Sequence, residues 1–280
     1  MAEEGQRRTF HGEEAGRYWN GLLTGEGKGL GPASRIFRRV PTSPRCKLCQ
    51  APFEGPYAPL FRLAGFRRWE LNQQMCRYCV AGIEKVKGGT EVDVSLLFAD
   101  VRGSTTLAEQ MAPAVFSAAL DSFFSLAFEA VDGEDGVIDH IVGDGVMAMW
   151  FPGFVGENHP AAAVAAGRKL AYSLGSTADL GESFPVGVGV HTGVAYAGVV
   201  GEAGSHNFTV LGDVPNTTAR LGSAAKGGEL ALSEDIAEAA GVDTSDLERR
   251  LLDLKGKAAP YPAWIERAAL PPANPESLVP

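Results

Sequence analysis

The period of apolar and polar positions changes several times along this chain, and each change marks an element. VDVSLLFADV (92–101) is an apolar run of strand length that ends on a carboxylate at Asp100. Ser104 and Thr105 then stand where they can cap a helix, predicted to continue past Pro113 through VFSAALDSFFSLAFEAV (115–131). GVIDHIVGDGVMAMWF (136–151) reads as two strands joined by Gly143-Asp144-Gly145, a strong hairpin signal. A second helix is expected over about 158–174. FPVGVGVHTG (184–193) and VAYAGVVG (194–201) read as a strand pair, and NFTVLGD (207–213) leads into a helix, PNTTARLGSAA. The remainder alternates strand, helix, strand, strand: GELALS, EDIAEAA, RRLLDLKGK and YPAWIERA. Strands outnumber helices and hairpins mix with crossovers, which predicts an α+β fold with helices packed on a mixed β-sheet.

The N-terminal third reads differently. Residues 1–40 are rich in Gly, Arg and Glu with weak periodicity, and are expected to form a flexible or loosely docked arm. Residues 41–88 carry all four cysteines, Gly88-Gly89-Thr90 reads as a linker, 92–267 as the main domain and 268–280 as a tail. No internal repeat is seen. The opening MAEEGQRRTF is charged and has no apolar stretch, so no secretory signal is expected. No run is expected to approach the roughly 18 apolar residues of a membrane span.

Composition narrows the partners. The 280 residues are 45% hydrophobic and 21% charged, ordinary for a chain with a real core. A formal net charge of −9 argues against general nucleic-acid binding, which normally uses a basic face. An anionic nucleotide is still compatible, through metal ions, local cations and backbone amides.

Cys46-Lys-Leu-Cys49 and Cys76-Arg-Tyr-Cys79 are two C-x-x-C knuckles with 26 residues between them. Without a secretory signal this spacing is read as a metal site in a reducing, cytoplasmic protein. Four thiolates suit a structural Zn²⁺; an iron–sulfur cluster and free or disulfide-bonded thiols are the alternatives. The intervening aromatics and arginines are compatible with a docking face, whose partner nothing in the sequence identifies.

In the main domain the chemistry-bearing residues are acidic. Asp100 closes a strand and Asp144 sits at a hairpin tip between glycines, where backbone approaches a phosphate closely. Two converging carboxylates repel each other unless divalent cations bind between them, and Mg²⁺ favours one or two carboxylates plus substrate phosphates. The plainer reading makes Asp100 a helix cap and Asp144 a turn residue. Asn216 and Arg220, four apart in PNTTARL, share one helix face. They suit charge developing on phosphate oxygens, although an isolated pair of this kind is more often a solvated face.

FADVRGST, HIVGDGVMAMWF, VGVGVHTGVAYAGVVG and NFTVLGDVPNTTARL, in this order and followed by LKGK, closely resemble the catalytic domain of class III adenylate and guanylate cyclases. The resemblance implies a ferredoxin-like, palm-type sheet. It also implies an enzyme that makes a cyclic nucleotide, expected to be cyclic AMP, from a nucleoside triphosphate. By this resemblance Asp100, Val101 and Asp144 hold two Mg²⁺ or Mn²⁺. Gly103, Ser104, Thr105 and Lys255 bind phosphate, Asn216 orients the ribose, and Arg220 stabilises the transition state. These sets act across a head-to-tail interface in the family, so a chain carrying both is expected to form a homodimer with two equivalent sites.

Three positions depart from the family pattern. Pro215 replaces a common aliphatic residue, where it fits the first turn of a helix. At the base-recognition positions His140 stands where adenylate cyclases usually carry lysine, and Thr209 where they often carry aspartate. Neutral His donates one hydrogen bond and Thr donates or accepts, so adenine is favoured over guanine, whose cyclases typically use Glu at the position of His140. His140 as a plain strand residue is the alternative. His191 in GVHTG resembles the family's structural turn. Two rival functions are a degenerate cyclase domain serving as a nucleotide sensor, and a guanylate cyclase with relaxed base selectivity. A diguanylate cyclase would carry GG[DE]EF, which VGDGV lacks.

Overall fold

The computed structural model describes residues 12–26, 37, 40, 44–70, 73–83, 86–176, 184–201, 207–254 and 259–267. In chain order, the first elements are α1 (Glu13–Leu23), α2 (Ala58–Leu63), α3 (Arg77–Ile83), β1 (Gly88–Val101), α4 (Ser104–Gln110) and α5 (Pro113–Gly133). A hairpin of β2 (Val137–Val142) and β3 (Gly145–Trp150) follows, then α6 (Pro152–Val155), α7 (His159–Ser176), β4 (Val186–Val200) and β5 (Asn207–Leu211). The chain continues through α8 (Asp213–Ala224), β6 (Glu229–Ser233), α9 (Glu234–Ala239), β7 (Glu248–Leu252) and β8 (Tyr261–Arg267). The expected α+β class with a mixed sheet is what the structure shows.

The chain packs as two compact units. The first comprises residues up to Asp93 together with Phe151–Glu157 and Val194–Gly212. The second comprises Val94–Trp150, Asn158–Gly193 and the chain from Asp213 onward. β1 and β4 each contribute residues to both.

In the second unit the strand order is β2-β3-β1-β4-β6-β8-β7. β4 and β6 run parallel, Gly189 pairing with Ala231, while the β1–β3, β2–β3, β6–β8 and β7–β8 pairs are antiparallel. Leu96, Leu97, Met149, Trp150, Leu230 and Leu232 on the strands, with Phe123, Leu170 and Leu221 on the helices, are fully buried. Near-continuous apolar strands are what a sheet covered by helices requires.

In the first unit α1 buries Ala15, Trp19, Leu22 and Leu23. The expected loose arm is therefore corrected for these residues, because a helical stripe at three- and four-residue spacing gives the segment a face to bury. Gly88-Gly89-Thr90 is likewise strand rather than linker. A Cβ on Gly89 would lie 2.2 Å from the Ala197 oxygen, so glycine is needed for two backbones to touch. β5 pairs antiparallel with the end of β4, Thr209 opposite Gly198.

Three further expectations are corrected. Helices α4 and α5 are separate, since Ala112 before Pro113 is held extended at φ −61°, ψ 138° and ends the helical run. Residues 184–201 do not form a hairpin, because β4 is one strand of 15 residues. Finally, α5 has the length and apolarity of a membrane span, with 21 residues and a mean hydropathy of 1.5. Asp121, Glu129 and Asp132 interrupt it, and Ala119, Phe123, Ala127, Ala130 and Val131 are buried within the fold.

Candidate active site

Strand register brings the two predicted carboxylates together. Asp100 pairs with Gly145 across β1 and β3, and Asp144 is the residue before that glycine. The side chains meet within hydrogen-bond reach. Burial raises the Asp100 carboxyl above its ordinary range, Arg102 opposes this, and the adjacent Asp144 adds to the rise by charge and by hydrogen bond. Among the described residues one cation, Arg102, faces these two half-buried carboxylates, and the negative charge left over is relieved by a proton or by an added cation. Oxygen donors of this kind suit Mg²⁺ or Mn²⁺.

Arg102 is a site residue that the sequence reading missed. Its guanidinium bonds the Asp100 carboxylate and donates from Nη1 to the Ser223 carbonyl at 2.6 Å. Its backbone N–H donates to the Pro185 carbonyl, also at 2.6 Å. The available signal was a cation two residues beyond a strand-terminal carboxylate, but its acceptor Ser223 lies 121 residues away at the end of α8. Val101, at the end of β1, is buried, and Gly103 is left-handed at φ 69° with open space around its Cβ position. Ser104 and Thr105 open α4, whose first-turn amides lack intrahelical acceptors, as in any helix.

α8 presents the second predicted set. Val214, Thr217, Thr218, Leu221 and Gly222 face inward, leaving Asn216 exposed and Arg220 half-buried on the other side. Pro215 sits in its first turn, as expected. Gly222 packs against the Phe98 carbonyl, 2.7 Å from the position of a Cβ, which fixes how α8 lies beside β1.

His140 is exposed on β2, its Nδ1 3.0 Å from Asp139 Oδ2. The hydrogen bond with Asp139 raises its pKa above the usual imidazole value, burial partly opposing. Thr209 is half-buried on β5. His140 belongs to the second unit and Thr209 to the first. Lys255 lies outside the described residues. His191 is buried, its Nδ1 2.8 Å from Ser233 Oγ, and Ser233 in turn caps α9 by accepting from the Ile236 N–H.

The four cysteines converge in the first unit. All are buried and free, and their sulfurs lie within 4.8 Å of one another. Burial opposes ionisation of Cys46, yet hydrogen bonds from Cys49, Cys76 and Cys79 outweigh it and pull this thiol well below its ordinary range. Cys49 and Cys79 are driven upward, first by Cys46. Four buried thiols this close together form a donor set that can hold a metal ion.

A sequence profile of the adenylate and guanylate cyclase catalytic domain matches residues 86–266, more than half of the chain. Among curated proteins, an adenylate cyclase of Anabaena cylindrica is 27% identical over 57% of this chain and 33% of its own length. Adenylate cyclase 1 of Rhizobium meliloti is 32% identical over 46% of this chain and 20% of its own. The chain therefore spans a third or less of these relatives. Among solved structures, the guanylyl cyclase Cya2 is 26% identical, with a TM-score of 0.59 over 67% of this chain and 98% of that one. The adenylyl cyclase CyaB of P. aeruginosa shares the fold, at 23% identity and a TM-score of 0.56 over 63% of this chain and 94% of that one. With a sheet that brings Asp100 against Asp144, and with the profile spanning that sheet, this chain belongs to the class III adenylate and guanylate cyclase catalytic-domain family, preceded by a four-cysteine module.

Proposed function

We propose that this protein is an adenylate cyclase that converts ATP to 3′,5′-cyclic AMP and pyrophosphate in a homodimer, within a reducing cytoplasmic compartment. The observation that carries the reading is the meeting of the Asp100 and Asp144 carboxylates at the joined ends of β1 and the β2–β3 hairpin. Two divalent cations held there would acidify the ribose 3′-hydroxyl and neutralise the departing pyrophosphate. Gly103, Ser104 and Thr105 would offer amides to the phosphates. Asn216 would orient the ribose and Arg220 would bind the oxygen charge that grows in the transition state. These last two residues would serve the partner protomer's carboxylate pair, which makes the dimer necessary for turnover. Intact Asp100, Asp144, Asn216 and Arg220 favour turnover over a sensor role.

His140 supports adenine. With Nδ1 engaged by Asp139, a protonated ring presents an Nε2–H donor toward an acceptor such as adenine N1, the task a lysine performs at this position in relatives of this kind. The testing experiment incubates purified protein with ATP or GTP and Mg²⁺ or Mn²⁺ and identifies the product. Cyclic AMP in excess is expected; cyclic GMP in excess, or no cyclic product with either base, overturns the reading.

A further inference from the structure

We propose that Cys46, Cys49, Cys76 and Cys79 hold one tetrahedral Zn²⁺, and that this ion acts as a positioning element for the nucleotide base because its module is tied through Trp19 to β5, the strand carrying Thr209. The part concerning Thr209 rests on the cyclase reading; the part concerning the ion does not.

Sulfur spacing separates the candidate occupants. A tetrahedral ion with Zn–S bonds of about 2.3 Å places its sulfurs about 3.8 Å apart. Cys49 and Cys76 Sγ are 3.6 Å apart, and the whole set lies within 4.8 Å. In an iron–sulfur cluster the four thiolates are divided among two or four irons with inorganic sulfides between them, which spreads the set as a whole beyond this spacing. The backbone is already arranged for thiolates. The Cys76 N–H donates to Cys46 Sγ at 3.2 Å, and the Cys79 N–H donates to Cys76 Sγ at 3.4 Å. Such bonds spread the sulfur charge and orient each ligand.

The link to β5 passes through α1, all within the first unit. Cys79 lies on α3, and Val86 follows that helix by three residues. Trp19 is fully buried and donates its indole N–H to the Val86 carbonyl at 3.2 Å. Its other side stacks on Phe208, with centroids 5.3 Å apart and planes 9° from parallel. Phe208 is the neighbour of Thr209 on β5 and also packs against Phe151. Neighbouring Tyr18 meets the Trp19 ring edge-on. One ring thus touches the strand bearing Thr209 on one side and the chain leaving the cysteine site on the other. Loss of the ion frees the Val86 anchor and lets Trp19 and Phe208 shift together.

The test uses the full chain, purified without chelator or oxygen, and has two arms. Metal analysis should find about one zinc per chain, and Co²⁺ substitution should produce the visible bands of a tetrahedral tetrathiolate ion. Iron with sulfide, or no retained metal, overturns the metal assignment whatever the enzyme does. In the second arm, equilibrium binding of non-hydrolysable ATP and GTP analogues is compared for wild type, Trp19→Phe and Cys76→Ser. Trp19→Phe keeps a buried ring but removes the indole donor. It should keep its zinc and lose about fivefold in affinity for the preferred base, with a smaller change for the other. Cys76→Ser should lose the zinc and show at least that shift. Unchanged affinity and unchanged base preference in Trp19→Phe, or in Cys76→Ser that has lost its zinc, overturn the positioning role. Failure of the wild type to make a cyclic product overturns the proposed activity and leaves both of these measurements standing.

Discussion

The position of a Cβ on Gly189 lies 2.1 Å from the backbone nitrogen of Gly222, so β4 and α8 touch backbone to backbone. No side chain fits between them. The contact sets the height of α8, and with it Asn216 and Arg220, relative to the sheet that carries Asp100. Gly189→Ala should push α8 outward at a cost of about 1–3 kcal/mol. A lower melting temperature together with reduced cyclase turnover is the expected result; unchanged values would show that the helix position is not set here.

The facing carboxylates predict opposite effects with and without metal. In metal-free protein, Asp144→Asn removes the like charge that raises Asp100, so the variant should be at least as stable as wild type. Adding Mg²⁺ or Mn²⁺ should raise the wild-type melting temperature and leave the variant unmoved, while turnover falls by orders of magnitude. Thermal unfolding against cation concentration measures this. A full metal shift in Asp144→Asn would place the ions elsewhere.

Asp100→Ala and Arg220→Ala should each be inactive as pure proteins. If a site takes its carboxylates from one protomer and its arginine from the other, a mixed dimer keeps one good site of two. Random pairing makes half of the dimers mixed, so an equimolar mixture should recover about a quarter of wild-type activity. No recovery, once subunit exchange is demonstrated by labelled protomers, would mean that each site is built within one chain.

Base choice should depend on pH through His140. Hydrogen bonding to Asp139 raises the His140 pKa, so the imidazolium persists above the usual value of about 6.5. Nε2 donates while the ring is charged and accepts once the proton leaves, because Nδ1–H stays with Asp139. The ATP-over-GTP ratio of kcat/KM should therefore be high at acid pH and fall several-fold as pH rises through this titration. His140→Lys should hold the ratio high across that range. A flat ratio in the wild type would place adenine recognition elsewhere.

Glu229 joins β6 to the far strands by accepting from Arg250 at 2.8 and 3.0 Å and from Arg267 at 3.2 Å. Burial works against its charge, but Arg250, the Lys226 backbone N–H and Arg267 prevail and bring its pKa down to about 2. A carboxyl depressed in the folded state adds stability that is complete above its ordinary pKa and is lost as pH falls from there toward 2. Glu229→Gln should cost about 2 kcal/mol at neutral pH, with the gap to wild type closing in acid. Denaturant unfolding at several pH values checks both the size and the sign.

Much of the site was legible because its parts are local. A strand ending on Asp100, a Gly-Asp-Gly turn, and a helix with Asn216 and Arg220 one turn apart are properties of near neighbours, as is the C-x-x-C spacing. Runs of alternating and helical period carried the α+β class for the same reason. The antiparallel β1–β3 register that seats Asp100 beside Asp144 was not readable, since either strand can slip by residues without changing its own pattern.

What the chain's order of residues determined is therefore the inventory: the motifs, the acidic pair, the catalytic-helix candidates and the four thiols. Tertiary structure decided how they are held. Arg102 finds its acceptor at Ser223, Trp19 bridges Val86 and Phe208, and the paired glycines 89 with 198 and 189 with 222 allow backbones to touch. Each of these depends on atoms distant along the chain that come together only when the core closes. Hydrophobic burial, which is non-directional, drives that closure, and short-range sequence pattern does not encode which distant partners meet.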